Sequence, residues 1–134
     1  MMDLNYIQTP LRNQTIEEQI KDFYLLNNKE RTYQHVLGVA MAAEKLALQY
    51  QEDIRACILA ALLHDISAVI TPQDMMKIAN ELQWQLDSAE KIYPFLLHQK
   101  ISALIAYEYF QIRNLSILKA IESHTTLRSN PSKL

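Results

Sequence analysis

The sequence predicts an all-α protein, and three observations carry this prediction. The 134 residues include a single glycine, Gly38. Tight-turned β architectures and Gly-rich phosphate loops need several glycines at positive φ, so both are excluded. Apolar residues recur at steps of three and four, with N-cap residues ahead of them, and no segment shows the strict alternation of a β-strand.

The first two predicted helices are amphipathic. Thr15-Ile16-Glu17-Glu18 is a capping box that opens a helix of about three turns, ending at Asn28. A longer helix is expected from Arg31 to Tyr50. Its apolar stripe is predicted to comprise Val36, Val39, Ala40, Ala43, Leu46, Ala47 and Tyr50.

The next helices include the predicted centre of the fold. The segment from Asp53 to about Ile66 is apolar nearly all round, as is typical of a buried helix. Thr71, followed by a proline, caps a helix that is expected to run to about Gln83. Ser88 is expected to cap a short helix that a proline at position 94 interrupts.

Two more amphipathic helices are predicted at the end of the chain. The first is expected over 98–110 and the second over 115–124, where Asn114 is the cap. The chain is therefore expected to form a bundle of about six to seven helices. Its length, 134 residues, is that of a single domain, so one domain over 1–134 is expected.

Composition argues against several classes of partner. The net charge of -2 gives no electrostatic reason to expect nucleic acid. The longest runs without charged or polar residues, 36–43 and 56–63, are too short to span a bilayer, and no secretory signal is visible. Cys57 is the single cysteine and cannot form an internal disulfide, so we expect the protein to reside in a reducing compartment. We therefore expect a soluble cytoplasmic protein without a nucleic acid or membrane partner.

Four histidines are the candidate functional residues. Each is expected to lie beside apolar surface: His35 in the second helix, His64 with Asp65 at the end of the buried helix, and His98 and His124 in the last two helices. Taken singly, each is more often a structural histidine, since histidine is intermediate in burial. Imidazoles and a carboxylate that meet from separate helices form a site suited to iron, manganese or zinc.

The sequence around these histidines resembles that of a known family. Thr32-Tyr33-Gln34-His35, Leu62-Leu63-His64-Asp65, Leu97-His98 and Ser123-His124-Thr125-Thr126 resemble, in order and approximate spacing, the HD-domain phosphohydrolase superfamily. Within it, the YqeK-like group of symmetrical dinucleoside-tetraphosphate hydrolases is the most similar. The resemblance covers roughly residues 29–133, which places the HD-type core at about 29–134.

The resemblance implies roles for particular residues. His35, His64 and Asp65 match the family's first three metal ligands, and Asp65 and His64 are the expected catalytic residues. His98 and His124 match the pair that holds a second metal or contacts the phosphates. A substrate-side loop is implied for Thr125, Thr126 and Arg128. Iron is the expected metal, with manganese or zinc as alternatives, and a nucleotide, above all a dinucleoside tetraphosphate, is the expected substrate.

Two departures from the family pattern keep other functions open. The segment Ile66-Ser67-Ala68-Val69 lacks the lysine that usually follows the His-Asp pair, so a phosphate contact is expected to be lost. The family continues into another helix with a further metal-binding aspartate, which this sequence does not contain before Leu134. We therefore expect weak hydrolysis, an open apolar surface over 115–121 and a homodimer through it. The alternatives are a non-catalytic HD-fold module that binds a nucleotide or a protein, and a helical scaffold without metal.

Overall fold

The computed structural model describes residues 6–10 and 14–123, and this part of the chain is helical with no strand. The all-α prediction is confirmed. In order, the helices are α1 (Ile16–Leu26), α2 (Glu30–Tyr50), α3 (Ile54–Leu63), α4 (Pro72–Glu81), α5 (Ser88–Ile92), α6 (His98–Glu108) and α7 (Leu115–Glu122), and two 3₁₀ turns span Ile66–Val69 and Pro94–Leu97.

Helix caps account for most of the helix starts. Thr15 accepts a hydrogen bond from the Glu18 N–H and the reciprocal bond is present, so the predicted capping box is confirmed. Thr71 and Asn114 cap α4 and α7 as predicted. The cap of α5 is Asp87, however, and not Ser88. The Asp87 carboxylate forms a second capping box with Glu90, three residues on, and this leaves Ser88 inside the helix.

Several helices end earlier than the apolar pattern predicts. The first ends at Leu26 because Asn28 adopts a left-handed conformation, with φ 61°. The buried helix ends at Leu63 instead of near Ile66, and the chain tightens into the 3₁₀ turn Ile66–Val69. In a 3₁₀ turn, residues three apart lie on one side. Ile66 and Val69 are both buried, so this turn continues the apolar surface that the α-helix had been expected to provide.

The predicted apolar stripe of α2 is too wide. Val36, Ala40 and Ala47 are buried, but the side chains of Leu46 and Tyr50 are exposed. The helix packs along α3 through a narrow line of mostly small side chains. Leu46 lies about 100° around the helix from Ala47, which places it outside that line.

The expected open apolar surface over 115–121 is wrong. Ile117, Ala120 and Ile121 of α7 are buried, because this helix packs against α3 and α6. Of the apolar residues on α7, Leu115 is the exposed one. A homodimer through this surface therefore loses the reason for which it was predicted.

The centre of the fold is α3, as expected. Six of its ten residues are buried, and α2, α7, α1 and α6 all contact it. Among the described residues, no single helix is both long and apolar enough to cross a membrane. The end of this central helix leads directly into His64 and Asp65.

Candidate metal centre

His64 and Asp65 occupy the sharp transition from α3 into the following 3₁₀ turn. His64 keeps helical backbone angles, and its Nδ1 lies 2.5 Å from the carbonyl oxygen of Ala61, one turn back in the same helix. A carbonyl can only accept a hydrogen bond, so Nδ1 carries the ring proton and donates it. The lone pair of His64 is then on Nε2, the nitrogen that faces Asp65.

Three donor atoms from two helices meet at this transition. The Oδ2 atom of Asp65 lies 3.3 Å from Nε2 of His64 and 3.6 Å from Nε2 of His35. The two imidazole rings are 5.9 Å apart, centre to centre. All three residues offer a ligand atom within 4.8 Å of the others, and they form the one such group found in the described part of the chain.

The spacing of these donors fits a transition metal. Ligands about 2.1 Å from a metal stand roughly 3.0–3.4 Å apart in octahedral or tetrahedral geometry. The two distances to Asp65 are close to this range, and two imidazoles with one carboxylate are a donor set that iron, manganese and zinc accept. His35, His64 and Asp65 could therefore hold such an ion with little movement.

The site is open on one side. The side chain of His64 is 12% exposed and that of Asp65 is 28% exposed, whereas that of His35 is 61% exposed. The expectation that His35 lies against apolar surface is wrong, because the neighbouring residues Ala42 and Leu46 on its face of α2 are exposed as well. Three protein ligands with an open side are typical of catalytic metal sites, and closed sets of four are typical of structural ones.

Two buried hydroxyls support the transition from outside. The Tyr24 hydroxyl on α1 donates to the carbonyl oxygen of Leu62 at 2.8 Å. The Ser102 hydroxyl on α6 accepts from the N–H of Ser67 at 3.0 Å. Burial raises the pKa of Tyr24 well above its usual value, and the nearby carboxylate of Asp65 raises it further. The phenol thus remains a hydrogen-bond donor throughout the physiological pH range.

Sequence reasoning missed both of these hydroxyls. The Tyr24 bond joins residues 38 positions apart and the Ser102 bond joins residues 35 positions apart. Helical periodicity cannot predict contacts at such separations. The sequence offers one weak signal, because Tyr24 follows Ile20 and Phe23 on the apolar face of α1, where a buried hydroxyl needs a partner.

Of the second predicted histidine pair, the structure describes His98, which does not belong to this group of donors. His98 is half-buried, its Nδ1 donates to the carbonyl oxygen of Phe95 at 2.9 Å, and its ring stacks on Phe95 with centres 4.7 Å apart. The remaining predicted residues, His124, Thr125, Thr126 and Arg128, lie outside the described residues. Their roles, like that of His98, stay predictions.

The segment after Asp65 is used for packing. Ile66, Ser67 and Val69 are buried, at 0%, 2% and 7% exposure. The family pattern places a lysine shortly after the His-Asp pair. In this chain the corresponding segment has no lysine, and its side chains pack into the core.

Comparison with known proteins agrees with this geometry. The family model described as "HD domain" matches residues 32–133. The chain is 35% identical over 106 residues to a protein named symmetrical bis(5'-nucleosyl)-tetraphosphatase from Halalkalibacterium halodurans, an alignment that covers 78% of this chain and 56% of that protein. It is 33% identical over 105 residues to a protein of the same name from Staphylococcus aureus, covering 78% and 53%.

A solved structure has the same fold. It is the crystal structure of a predicted HD superfamily hydrolase involved in NAD metabolism from Clostridium acetobutylicum. The TM-score is 0.75 at 29% identity, over 81% of this chain and 57% of that one. The chain thus spans a little over half the length of these three relatives.

Proposed function

Since the chain belongs to the HD domain family, we propose that it is a metal-dependent phosphohydrolase acting on a nucleotide phosphoanhydride or ester. One observation carries this proposal: Nε2 of His35 and Nε2 of His64 both approach the same carboxylate oxygen of Asp65. The names of two relatives support a dinucleoside tetraphosphate, cut symmetrically, as the substrate.

A divalent transition metal in this site would make a bound water more acidic and offset the negative charge on the phosphoryl oxygens. Iron is the metal we propose, and manganese and zinc suit the same two imidazoles and one carboxylate. We assign its binding to His35, His64 and Asp65.

The chain's own residues prepare this site in three ways. The Ala61 carbonyl accepts a hydrogen bond from Nδ1 of His64. Nε2 can therefore act as a ligand without a change of tautomer. Asp65 faces both imidazoles with one oxygen. The exposed side chain of His35 leaves this side of the site open to solvent.

Further contacts to substrate are proposed for five residues. His98 and His124 are assigned to a second metal or to the phosphates, and Thr125, Thr126 and Arg128 to a substrate-side loop. The half-buried ring of His98 opens α6, the helix that contacts the 3₁₀ turn following Asp65, and this proximity supports its assignment.

The test is hydrolysis of diadenosine tetraphosphate in the presence of Fe²⁺ or Mn²⁺, with the products separated by ion-exchange chromatography. Symmetrical cleavage gives two molecules of ADP, whereas asymmetrical cleavage gives ATP and AMP. Asp65→Asn should abolish turnover, because it removes the carboxylate charge at almost constant size. Asp53→Asn is the matched control: it makes the same acid-to-amide change at the opposite end of α3, where asparagine is an equally good cap.

The other outcomes of this test identify the alternatives. Metal and nucleotide binding without turnover would support a non-catalytic binding module. A chain that binds no metal would instead be a helical scaffold, and the proposed function would be wrong.

A further inference from the structure

The last carbonyl groups of α3 need partners from outside the helix. Any α-helix leaves its final four carbonyl oxygens without intrahelical N–H donors. In α3, which ends at Leu63, the Ala61 carbonyl accepts from the ring of His64. The Leu62 carbonyl accepts from the hydroxyl of Tyr24.

The hydroxyl of Tyr24 acts at the point where the chain changes direction. The N–H four residues after Leu62 belongs to Ile66, which is already part of the 3₁₀ turn. His64 and Asp65 lie between these two residues. The hydrogen bond from Tyr24 therefore holds a peptide unit that lies just before both candidate ligands.

Tyr24 is held firmly enough to fix this peptide unit. Its side chain is fully buried, and its ring lies 6.0 Å from that of Tyr33 on α2. Its neighbours on α1, Ile20 and Phe23, are fully buried too. The helix that carries Tyr24, Ile16–Leu26, precedes residues 32–133, which are those matched by the family model.

We propose that Tyr24 is a positioning residue of the metal centre, whose hydroxyl holds the Leu62 carbonyl and so aims His64 and Asp65 at the ion. The inference rests on the proposed metal site, and it adds α1 to the parts of the chain on which that site depends. Tyr24 itself contacts neither metal nor substrate; it acts through the backbone.

The experiment compares two variants that alter α1 in different ways. Tyr24→Phe removes the hydroxyl and keeps the buried ring. Thr15→Ala removes the N-cap of the same helix and leaves the hydroxyl in place. Each protein is titrated with Co²⁺ alone, and the visible absorption of the bound ion reports both affinity and coordination geometry.

We expect Tyr24→Phe to weaken Co²⁺ binding by about tenfold, the lower end of the effect of outer partners on metal sites, and to change the absorption spectrum. Thr15→Ala should leave both unchanged. A purely structural role would lower thermal stability in both variants without moving the spectrum.

Three results would overturn the inference. The first is wild-type affinity and spectrum in Tyr24→Phe, and the second is equal weakening in Thr15→Ala. The third is a wild-type chain that binds no Co²⁺, which would overturn the proposed metal centre itself and is thereby distinguished from the other two. Should Tyr24→Phe fail to fold, the comparison is repeated in a Gly38→Ala background, because Gly38 is exposed in the middle of α2 and has open space for a methyl group.

Discussion

The hydroxyl of Ser102 accepts a hydrogen bond from the N–H of Ser67, although 35 residues separate them in the sequence. Both residues are buried, at 0% and 2% exposure. Ser67 lies two residues after Asp65, so α6 supports the 3₁₀ turn from one side while Tyr24 supports the end of α3 from the other.

Replacing Ser102 with alanine should destabilise the protein by about 1–3 kcal/mol, because the Ser67 N–H would be left buried without its acceptor. Urea unfolding followed by circular dichroism measures this loss. Ser116→Ala is the control: Ser116 is exposed on α7, and its replacement should change stability by less than about 0.5 kcal/mol. Equal effects of the two substitutions would contradict the prediction.

Replacing Asp65 with alanine should remove most of the bound metal, since Asp65 is the residue that approaches both imidazoles. Elemental analysis of untagged protein, incubated with Fe²⁺ or Mn²⁺ and then freed of excess ion, measures the content. Asp53→Asn should retain the wild-type amount. If the wild type carries no more metal than Asp65→Ala, the ligand assignment is wrong.

The stabilising effect of the Tyr24 hydroxyl should disappear at alkaline pH. The pKa of the phenol is raised in the folded protein, so between pH 10.0 and that raised value the folded state holds a proton that the unfolded chain has lost. The contribution is complete below about pH 10 and declines above it by up to about 1.4 kcal/mol per pH unit. The difference in unfolding free energy between wild type and Tyr24→Phe should therefore shrink from pH 9 to 11. A constant difference would contradict the raised pKa.

Replacing Gly38 with alanine should stabilise the protein by about 0.5–1 kcal/mol. Gly38 is in the interior of α2, and a Cβ atom built there meets no atom within 4 Å apart from its chain neighbours and the nearby backbone of its own helix. The gain comes from the lower backbone entropy of alanine in the unfolded chain. Ala42→Gly, at an exposed position of the same helix, is the reverse control and should lose a similar amount. Destabilisation by Gly38→Ala in thermal unfolding would contradict the prediction.

The helices and the grouping of His35, His64 and Asp65 could be predicted from the sequence because their signals are local. Thr15, Thr71 and Asn114 cap helices through hydrogen bonds that reach only two or three residues. His64 and Asp65 are adjacent, and a helical His35 completes a pattern that a family resemblance recognises.

The rest depended on contacts that no local pattern encodes. The width of the buried stripe on α2 is set by how closely α3 approaches, and for this reason the apolar pattern predicts a buried Leu46 although its side chain is exposed. The supporting roles of Tyr24 and Ser102 follow from which helices meet around the end of α3, which requires the tertiary structure.

The position of the three candidate ligands within the helical hairpin has a dynamic consequence. The chain turns back between α2 and α3 at residues 51–53, and His35 lies 15 residues before the end of α2, about 22 Å from that turn. These residues therefore lie at the end of the hairpin away from the turn, where α2 begins and α3 ends. An ion held there would link the two helices through residues 35 and 64. Because the two helices could not separate in the ion-bound protein without breaking this link, the lifetime of the bound ion and the rate of hairpin opening should be governed by the same motion.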